Sequence, residues 1–320
     1  MRWYQVVGGV GVVTYEDPSR AASKFWNEGK WRTFIEPLLP AERRTFIEIG
    51  CNAGLFLKMA TEAGFTDVVG VEGSGRIMRQ AEAFRAANGL SYRLVQQAAG
   101  RDLDLDALPV ADVVLLANMH YYLPVAALAR LADALKGRTR YCIVVGARAP
   151  LRQGCAKHYL TAVRGYFRDW PFVGAVQGVD AEGDPCPRPD MYGVLFKGGL
   201  DAIDVGEYYE AWYEAAKSWR HRSYGLAPAL QDFFEQVLSG GAVKVEDTAL
   251  YHYWRKRQPK QTEEWTWKLL AYKAELARDI QQNGMREPIY LDAQTKMLDG
   301  LHRLCIAKAL GHRHILVRVL

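Results

Sequence analysis

The chain has 320 residues, of which 49% are hydrophobic and 24% are charged, and its formal net charge is +5. This composition is typical of a globular protein with one large domain and one smaller domain. The basic excess suits an anionic ligand but is too small to indicate nucleic-acid binding by itself, and no apolar run is long enough to span a membrane.

The cysteines are scattered without C-x-x-C pairs, so the sequence predicts neither a disulfide framework nor a metal site. We expect reduced thiols and a cytoplasmic protein. The N-terminal stretch MRWYQVVGGVGVVTYEDPSR predicts a strand or hairpin rather than a signal peptide. The five cysteines are Cys51, Cys142, Cys155, Cys186 and Cys305.

Strand-like and helix-like patterns alternate from Arg44 to about Val145. The predicted strands are TFIEIG, DVVGVEGS, SYRLVQQAAG, ADVVLLANMH and YCIVVGA. This alternation predicts an α/β fold with a doubly wound, Rossmann-like, mostly parallel sheet. Further along, MYGVLFKGGLDAIDVGEYY predicts an antiparallel edge hairpin that turns at Gly198 and Gly199.

The first predicted strand ends in a turn with the sequence EIGCNAG. Gly50 and Gly54 let the chain turn and let a ligand approach the backbone, where the next helix presents its N–H groups. The second strand ends with Glu72, where an acid can bind both hydroxyls of a ribose. The turn lacks G-x-G-x-x-G, and Glu48 would repel a pyrophosphate but could orient donors around a cationic ligand.

The EIGCNAG turn and the VEGS strand end resemble those of class I S-adenosylmethionine-dependent methyltransferases, over about residues 20–210. The resemblance implies S-adenosyl-L-methionine as the cofactor, with its methionine part at the turn, its ribose on the acid of the second strand and its adenine beside the third strand. The alternative is a nucleotide-binding α/β domain with another ligand. The implied cofactor-binding residues are Glu48, Gly50, Cys51, Asn52, Gly54, Glu72, Gln97, Ala98 and Asn118.

The fourth strand, in ADVVLLANMHYYLP, brings His120 and Tyr121 to the edge of the sheet where ligands bind. His120 could remove a proton from an acceptor hydroxyl, or could only form a hydrogen bond at the pocket floor. Tyr121 is a catalytic candidate or part of the pocket wall. Methyltransferases that modify DNA bases carry an acid or Asn followed by Pro-Pro-aromatic at this strand end, and N-M-H-Y departs from that pattern. We therefore expect O-methylation of a small-molecule, sugar or phosphorylated acceptor.

A second block, at residues 242–320, contains a long helix, the strand EPIYLD, the turn LDGLHR and a terminal strand. Asp299 is a natural N-cap for the helix that follows Gly300. His302 and Arg303 fall in the first turn of that helix, where N–H groups favour a phosphate that Arg303 could grip. If a phosphate binds there, Mg²⁺ or Arg303 must neutralise Asp299.

The order LARDIQQNG, REPIYLD, DGLHR is similar to that of the ParB/sulfiredoxin-like superfamily, over about residues 242–320. The resemblance implies a nucleotide- or phosphate-binding domain, and for its kinase-like members ATP or another nucleotide with Mg²⁺. The reductase of this superfamily has a cysteine where this chain has Leu301, so that activity is not expected. The implied catalytic residues are Asp299, His302 and Arg303, with Glu246 as a candidate base or a solvated acid.

Two basic-aromatic clusters flank the start of this block: WRHR at residues 219–222 and YWRKRQPK at residues 253–260. Such clusters can follow a phosphate backbone, hold one phosphorylated small substrate or lie solvated on a helix face.

The expected organisation is a methyltransferase domain at residues 1–212, a helical connector at 213–241 and a ParB/sulfiredoxin-like domain at 242–320. The hypothesis is a bifunctional enzyme whose C-terminal domain is a kinase that makes the methyl acceptor. One alternative is a DNA-associated methyltransferase-like protein whose C-terminal domain binds nucleic acid or CTP, and another is a docking or oligomerisation domain with an inactive site. The sequence leaves the acceptor, the nucleotide and the oligomeric state open.

Overall fold

The computed structural model describes residues 27–100, 103–147, 160–177, 191–218 and 225–320. The predicted N-terminal hairpin, the WRHR cluster, Cys155 and Cys186 lie outside the described residues. The cysteines within them, Cys51, Cys142 and Cys305, are buried free thiols.

The chain folds into two compact units. The first comprises Met1–Leu105 and Ala111–Gly199, and the second comprises Asp106–Val110 and Leu200–Leu320. The second unit therefore contains a short piece of chain that lies, in sequence, inside the first.

The first unit is built on a seven-stranded sheet. A helical segment over residues 27–38 precedes the first strand. The strands are β1 Thr45–Ile49, β2 Asp67–Glu72, β3 Arg93–Gln96, β4 Ala111–Ala117, β5 Thr139–Ala147, β6 Phe172–Gln177 and β7 Met191–Lys197. The helices are α1 Leu55–Glu62, α2 Gly75–Ala87, α3 Val125–Lys136 and α4 Leu160–Tyr166.

The strand order is β3-β2-β1-β4-β5-β7-β6, and the pairs formed among β1 to β5 are all parallel. Every residue of β1 is buried, as are six of the seven residues of β4, because both faces of a parallel sheet are covered. The predicted doubly wound, mostly parallel sheet is confirmed.

The prediction of an antiparallel hairpin that turns at Gly198 and Gly199 is wrong, because the strands on either side of these glycines belong to different sheets. The first sheet does have an antiparallel edge. Strand β7 pairs antiparallel with β5 on one side and with β6 on the other. The stretch after Gly199 forms a strand of the other sheet instead. The edge is therefore completed by β6, in a region where the sequence pattern is weak.

Strand β7 lies very close to the helical segment over residues 27–38. A Cβ added at Gly193, in the middle of β7, would lie 2.1 Å from the backbone oxygen of Phe34 and 3.2 Å from Leu38 Cδ1. Only glycine permits such an approach between strand and segment. The segment fills the core with Trp31, Phe34 and Ile35, each less than 4% exposed.

The second unit has a four-stranded sheet in the order β10-β9-β11-β8. Its strands are β8 Asp201–Asp204, β9 Ile289–Leu291, β10 Met297–Asp299 and β11 His314–Val319. Its helices are α5 Val205–Ser218, α6 Ala227–Leu238, α7 Ala249–Arg257, α8 Glu263–Asn283 and α9 Leu301–Ala309.

Helices α5 and α6 cover most of the expected connector at residues 213–241, but they belong to the core of the second unit. Leu230, Phe233 and Phe234 of α6 are no more than 1% exposed and cluster with the buried residues of α8 and α9. Their aromatic and aliphatic side chains need this burial, which a solvated connector would not provide.

The second unit begins earlier in the chain than expected because β8 pairs antiparallel with the terminal strand β11. Val110, from the inserted piece of chain, is 4% exposed in the same core, and its N–H donates to the backbone oxygen of Met285 at 2.7 Å. Among the described helices of both units, none is both long and apolar enough to cross a membrane.

Candidate functional site

The candidate site lies at the carboxyl edge of the first sheet, between β1 and β4. From β1 the chain builds β2 and β3 on one side, then returns to place β4 and β5 on the other. Ligands of open α/β sheets bind in the crevice at this switch point. The segments that leave the strand ends here have the sequences GCNAG, GSG, QQA and NMH.

The glycine turn after β1 is held tightly against β2. The N–H groups of Gly50 and Cys51 both donate to the backbone oxygen of Val71, at 2.8 and 3.0 Å. A Cβ added at Gly50 would lie 3.1 Å from Met119 Cβ, and Gly50 has φ 79°. Asn52 is also left-handed, with φ 53°, a conformation that asparagine tolerates better than most residues.

Glu72 joins the two turns that follow β1 and β2. Its Oε2 accepts the N–H of Asn52 at 3.1 Å, and its Oε1 accepts the N–H of Ser74 at 2.8 Å. Each carboxylate oxygen keeps a further lone pair, so Glu72 can still accept hydrogen bonds from a pair of hydroxyls. The acid predicted for ribose binding thus lies beside the glycine turn.

Glu48 and Asn52 each present a buried oxygen that has no hydrogen-bond partner among the described residues: Glu48 Oε2 and Asn52 Oδ1. Glu48 is 1% exposed. Burial, and then the nearby Glu72 carboxylate, raise the pKa of Glu48 well above its usual value. Two unsatisfied acceptors at one turn are suited to a ligand that donates hydrogen bonds and carries positive charge.

Cys51 contributes its backbone rather than its thiol. The side chain is buried, and its Sγ would lie 2.7 Å from a Cβ added at Gly70 of β2. Burial, with the neighbouring Glu48 and Glu72, raises the pKa of the Cys51 thiol well above its usual value. The thiol is therefore packed against β2 in the core, where it is an inert apolar group.

The ends of β3 and β4 carry the remaining predicted cofactor residues. Gln97 donates its backbone N–H to the oxygen of Glu72 at 3.1 Å, and its side-chain Oε1 accepts the N–H of Asp104 at 3.1 Å. Ala98 is exposed and lies against Gly73, where an added Cβ would approach Ala98 Cα to 3.1 Å. Asn118, at φ 55°, is a second left-handed asparagine at this edge.

His120 lies at the same edge but is completely buried. Its Nε2 is 3.2 Å from the hydroxyl oxygen of Tyr192 in β7. A Cβ added at Gly146 of β5 would lie 2.3 Å from that hydroxyl and 2.9 Å from His120 Cε1. Because Gly146 has no side chain, His120 and the Tyr192 hydroxyl can contact each other beside it. Tyr121 belongs to the 3₁₀ turn His120–Tyr122, and its side chain lies outside what the structure describes.

Sequence reasoning missed Tyr192, because its place depends on the pairing of β7 with β5. In that register Tyr192 stands opposite Gly146. One signal was available: a glycine inside an otherwise apolar strand often marks a close approach by another group.

In the second unit, the turn before α9 differs from the expected capped helix. The N-cap position of α9 is Gly300, at φ 120°, and no side chain caps it. Asp299 does not act as an N-cap. It forms an ion pair with Arg303, in the first turn of α9. The Arg303 side chain also donates to the backbone oxygen of Pro288 at 2.7 Å and to Glu287 Oε2 at 3.2 Å. Arg303 is therefore already neutralised by carboxylates.

His302, in the first turn of α9, contacts a lysine that the sequence did not indicate. Lys273 of α8 is 4% exposed, and its Nζ lies 2.6 Å from His302 Nε2. Burial lowers the pKa of Lys273 to about 8. Burial, and then the Lys273 charge, lower the pKa of His302 to about 4. His302 is thus a neutral imidazole that accepts a hydrogen bond from the ammonium group.

The other predicted residues of the second unit are not brought into this cluster. Glu246 is exposed in the 3₁₀ turn Val245–Asp247, and none of the hydrogen bonds or ion pairs in the described part of the chain joins it to His302 or Arg303. Tyr253 and Trp254, the aromatic members of YWRKRQPK, pack partly against the core. No group of three His, Cys, Asp or Glu in the described ranges could hold a metal ion.

No protein-family profile matches the chain. No curated protein matches it either. Solved structures of other proteins are similar to parts of it. The N-methyltransferase NodS from Bradyrhizobium japonicum WM9, in complex with S-adenosyl-L-homocysteine, is 16% identical with a TM-score of 0.46, and the match covers 58% of this chain and 93% of NodS.

Two further solved structures match a similar share of this chain. The PH0226 protein from Pyrococcus horikoshii OT3 is 14% identical with a TM-score of 0.44, over 53% of this chain and 90% of that protein. The CcbJ methyltransferase from Streptomyces caelestis is 15% identical with a TM-score of 0.41, over 52% of this chain and 92% of CcbJ.

Proposed function

We propose that the first unit binds S-adenosyl-L-methionine and transfers its methyl group to an oxygen of a small-molecule, sugar or phosphorylated acceptor. The observation that carries the proposal is the paired acids at the switch point. Glu48 offers a buried oxygen without a partner among the described residues, and Glu72 holds two adjacent turns together. S-adenosyl-L-methionine supplies an electrophilic methyl group on a sulfonium, and it carries both a ribose and positive charge.

The charge of the site argues against a dinucleotide or a nucleoside triphosphate. The segments GCNAG, GSG, QQA and NMH at the strand ends contain no lysine or arginine. A pyrophosphate would therefore face Glu48 and Glu72 with N–H groups as its main compensation. A ligand with ammonium and sulfonium groups gains from the same two acids.

The residues of the site would hold such a ligand in distinct ways. Glu72 would accept the ribose hydroxyls, the turn from Gly50 to Gly54 would take the methionine part, and Gln97 with Ala98 would lie beside the adenine. His120, oriented by Tyr192, would take the proton of an acceptor hydroxyl. Because His120 is buried, an acceptor reaches it only after local rearrangement at this edge.

Isothermal titration calorimetry with S-adenosyl-L-methionine and S-adenosyl-L-homocysteine tests the proposal. We expect Glu72→Gln to weaken binding of both compounds by about 10- to 100-fold, the effect of losing charge-assisted hydrogen bonds. Glu82→Gln, at an exposed position of α2, is the matched control and should change neither affinity. Absence of binding of both compounds to the wild-type protein would overturn the proposal.

For the second unit we propose a phosphate-binding role at the start of α9. The support is Lys273, which is almost fully buried and whose ammonium group contacts a neutral imidazole, next to a helix start that no side chain caps. A buried cation that has no carboxylate partner among the described residues favours an anionic ligand. The N–H groups of the first turn would contribute to the same site.

Titration with inorganic phosphate and with ATP, each with and without Mg²⁺, tests this role. Lys273→Met should reduce the affinity for phosphate at least tenfold. Lys260→Met, at an exposed position outside the helices, is the control and should leave it unchanged. Equal affinities in the wild type and both variants would exclude this site.

A sharper hypothesis joins the two proposals: the second unit phosphorylates a hydroxyl compound, which the first unit then methylates. It rests on two different ligand-binding arrangements in one chain. Methyl transfer to an unphosphorylated acceptor with the same efficiency as to its phosphorylated form would contradict it.

A further inference from the structure

The glycine turn after β1 is surrounded by three buried polar atoms that lack a hydrogen-bond partner within the described ranges. They are Glu48 Oε2, Asn52 Oδ1 and Tyr92 Oη. Buried polar side-chain atoms are paired in the large majority of cases, so three unpaired atoms at one turn indicate a partner that the described residues do not supply, such as a bound ligand.

Tyr92 was not singled out by the sequence, because it precedes the short strand β3 rather than following a strand. It is 2% exposed, and its hydroxyl lies 2.6 Å from the position that a Cβ at Gly54 would occupy. Its backbone oxygen accepts a hydrogen bond from Arg85 Nη1 at 3.1 Å, which fixes the start of β3. The missing side chain at Gly54 thus makes room for the tyrosine hydroxyl.

The hydroxyl lies at the N-terminus of α1. This helix has eight residues, its N-cap residue is Gly54 at φ 86°, and no side chain caps it. The first N–H groups of α1 and the hydroxyl of Tyr92 are all hydrogen-bond donors at one end of the turn. Burial raises the pKa of Tyr92 above its usual value, so the phenol keeps its proton at neutral pH.

The buried atoms without a partner around the turn therefore include both acceptors and a donor. Glu48 Oε2 and Asn52 Oδ1 are acceptors suited to an ammonium group, and Tyr92 Oη is a donor suited to a carboxylate. An α-amino-acid group presents these two complementary functions on one carbon atom. A fully ionised phosphate would satisfy only the tyrosine, and a hydroxyl, which can both donate and accept, carries no charge to match the acid.

We propose that Tyr92 is a specificity-determining residue that, together with Glu48 and Asn52, recognises the α-amino-acid group of the methionine part of the cofactor. This inference rests on the proposed function of the first unit. It goes further by assigning the carboxylate to the tyrosine hydroxyl and the ammonium group to the acid and the amide. Compounds that lack the amino-acid group should gain nothing from Tyr92.

Calorimetry with two ligands separates this role from general cofactor binding. S-adenosyl-L-homocysteine carries the amino-acid group, and 5′-methylthioadenosine keeps the adenosine but lacks that group. We expect Tyr92→Phe to weaken binding of S-adenosyl-L-homocysteine by about 10-fold or more, because a hydrogen bond to a charged group is lost. The affinity for 5′-methylthioadenosine should not change. Tyr272→Phe, at a 63% exposed position of the second unit, is the matched control and should alter neither affinity.

The melting temperature of the ligand-free variant checks for a structural role. Removing a buried hydroxyl that has no partner among the described residues should leave the melting temperature of Tyr92→Phe unchanged or raise it. A lower melting temperature, an equal loss of affinity for both ligands, or no loss for S-adenosyl-L-homocysteine would each overturn the inference. If the wild-type protein bound neither ligand, the proposed function itself would fail, and the inference with it.

Discussion

At the scale of single residues, the contact between His302 and Lys273 links the stability of the second unit to pH. The pKa of His302 is about 4 in the folded chain, against a usual value of 6.5. Between these values the unfolded chain binds a proton that the folded chain does not. The charged groups facing the imidazole are Lys273 of α8, Asp299 of β10 and Arg303 on α9 itself.

The contribution of His302 to the free energy of unfolding should therefore be fully present above pH 6.5 and should be lost as the pH is lowered towards 4. His302→Gln keeps an acceptor for Lys273 but cannot be protonated, so the loss over this range should be smaller by about 1–3 kcal/mol. Urea unfolding at a series of pH values measures it. His252→Gln, at an exposed position of α7, should keep the wild-type slope. A slope unchanged by His302→Gln would contradict the prediction.

The residues of the candidate site differ in how far the sequence could reveal them. Glu48, Gly50 and Glu72 follow from local pattern, because strand ends and glycine turns are encoded by consecutive residues. Tyr192 and Tyr92 do not follow from it. Tyr192 lies at the site because β7 pairs with β5, and the Tyr92 hydroxyl lies there because Gly54, far away in the sequence, has no side chain. Such neighbours are set by packing between segments far apart in the chain.

At the scale of elements, β7 pairs with a strand on each side and is also the surface against which the helical segment over residues 27–38 packs. The sequence indicated β7 correctly as a strand but gave it the wrong partner, since a nearby Gly-Gly pair is also a hairpin signal. The long helix α8 and the helix α9 were predictable because each has an amphipathic pattern and a glycine at its end. Strand β6 has no comparable pattern.

Gly193→Ala tests the close approach on β7. The new Cβ would meet the backbone oxygen of Phe34 at 2.1 Å, so strand and segment must move apart. We expect the free energy of unfolding of the first unit to fall by roughly 3 kcal/mol. Gly174→Ala on β6 is the matched control, since nothing lies within 4 Å of its added Cβ. Similar stabilities for the two variants in denaturant titrations would contradict the described packing.

At the scale of the whole molecule, the sequence placed the division between the units too late in the chain. The change in composition after residue 241 marks a change of local pattern, whereas β8 is bound to the second unit by its pairing with β11. The piece Asp106–Val110 carries no signal of its own, and it joins the second unit through Val110. A domain boundary depends on contacts, which composition reports only indirectly.

Fragments of the chain test this division. A fragment of residues 200–320 contains β8 to β11 and α5 to α9. We expect it to unfold cooperatively in urea, although with a lower midpoint than in the full chain because it lacks Val110. A fragment of residues 242–320 lacks β8, α5 and α6 and should not unfold cooperatively. Circular dichroism and tryptophan fluorescence measure both. If the fragment of residues 242–320 unfolded cooperatively, the division between the units would be refuted.

The buried thiols allow the opening of each unit to be measured separately. Cys51 and Cys142 lie in the core of the first unit, and Cys305 lies in the core of the second. A thiol reacts with an alkylating reagent as the exposed thiolate, so these three are protected until the structure around them opens. The rates at which they are alkylated, followed by mass spectrometry of peptides, would therefore measure how often each of the two units opens within one intact chain.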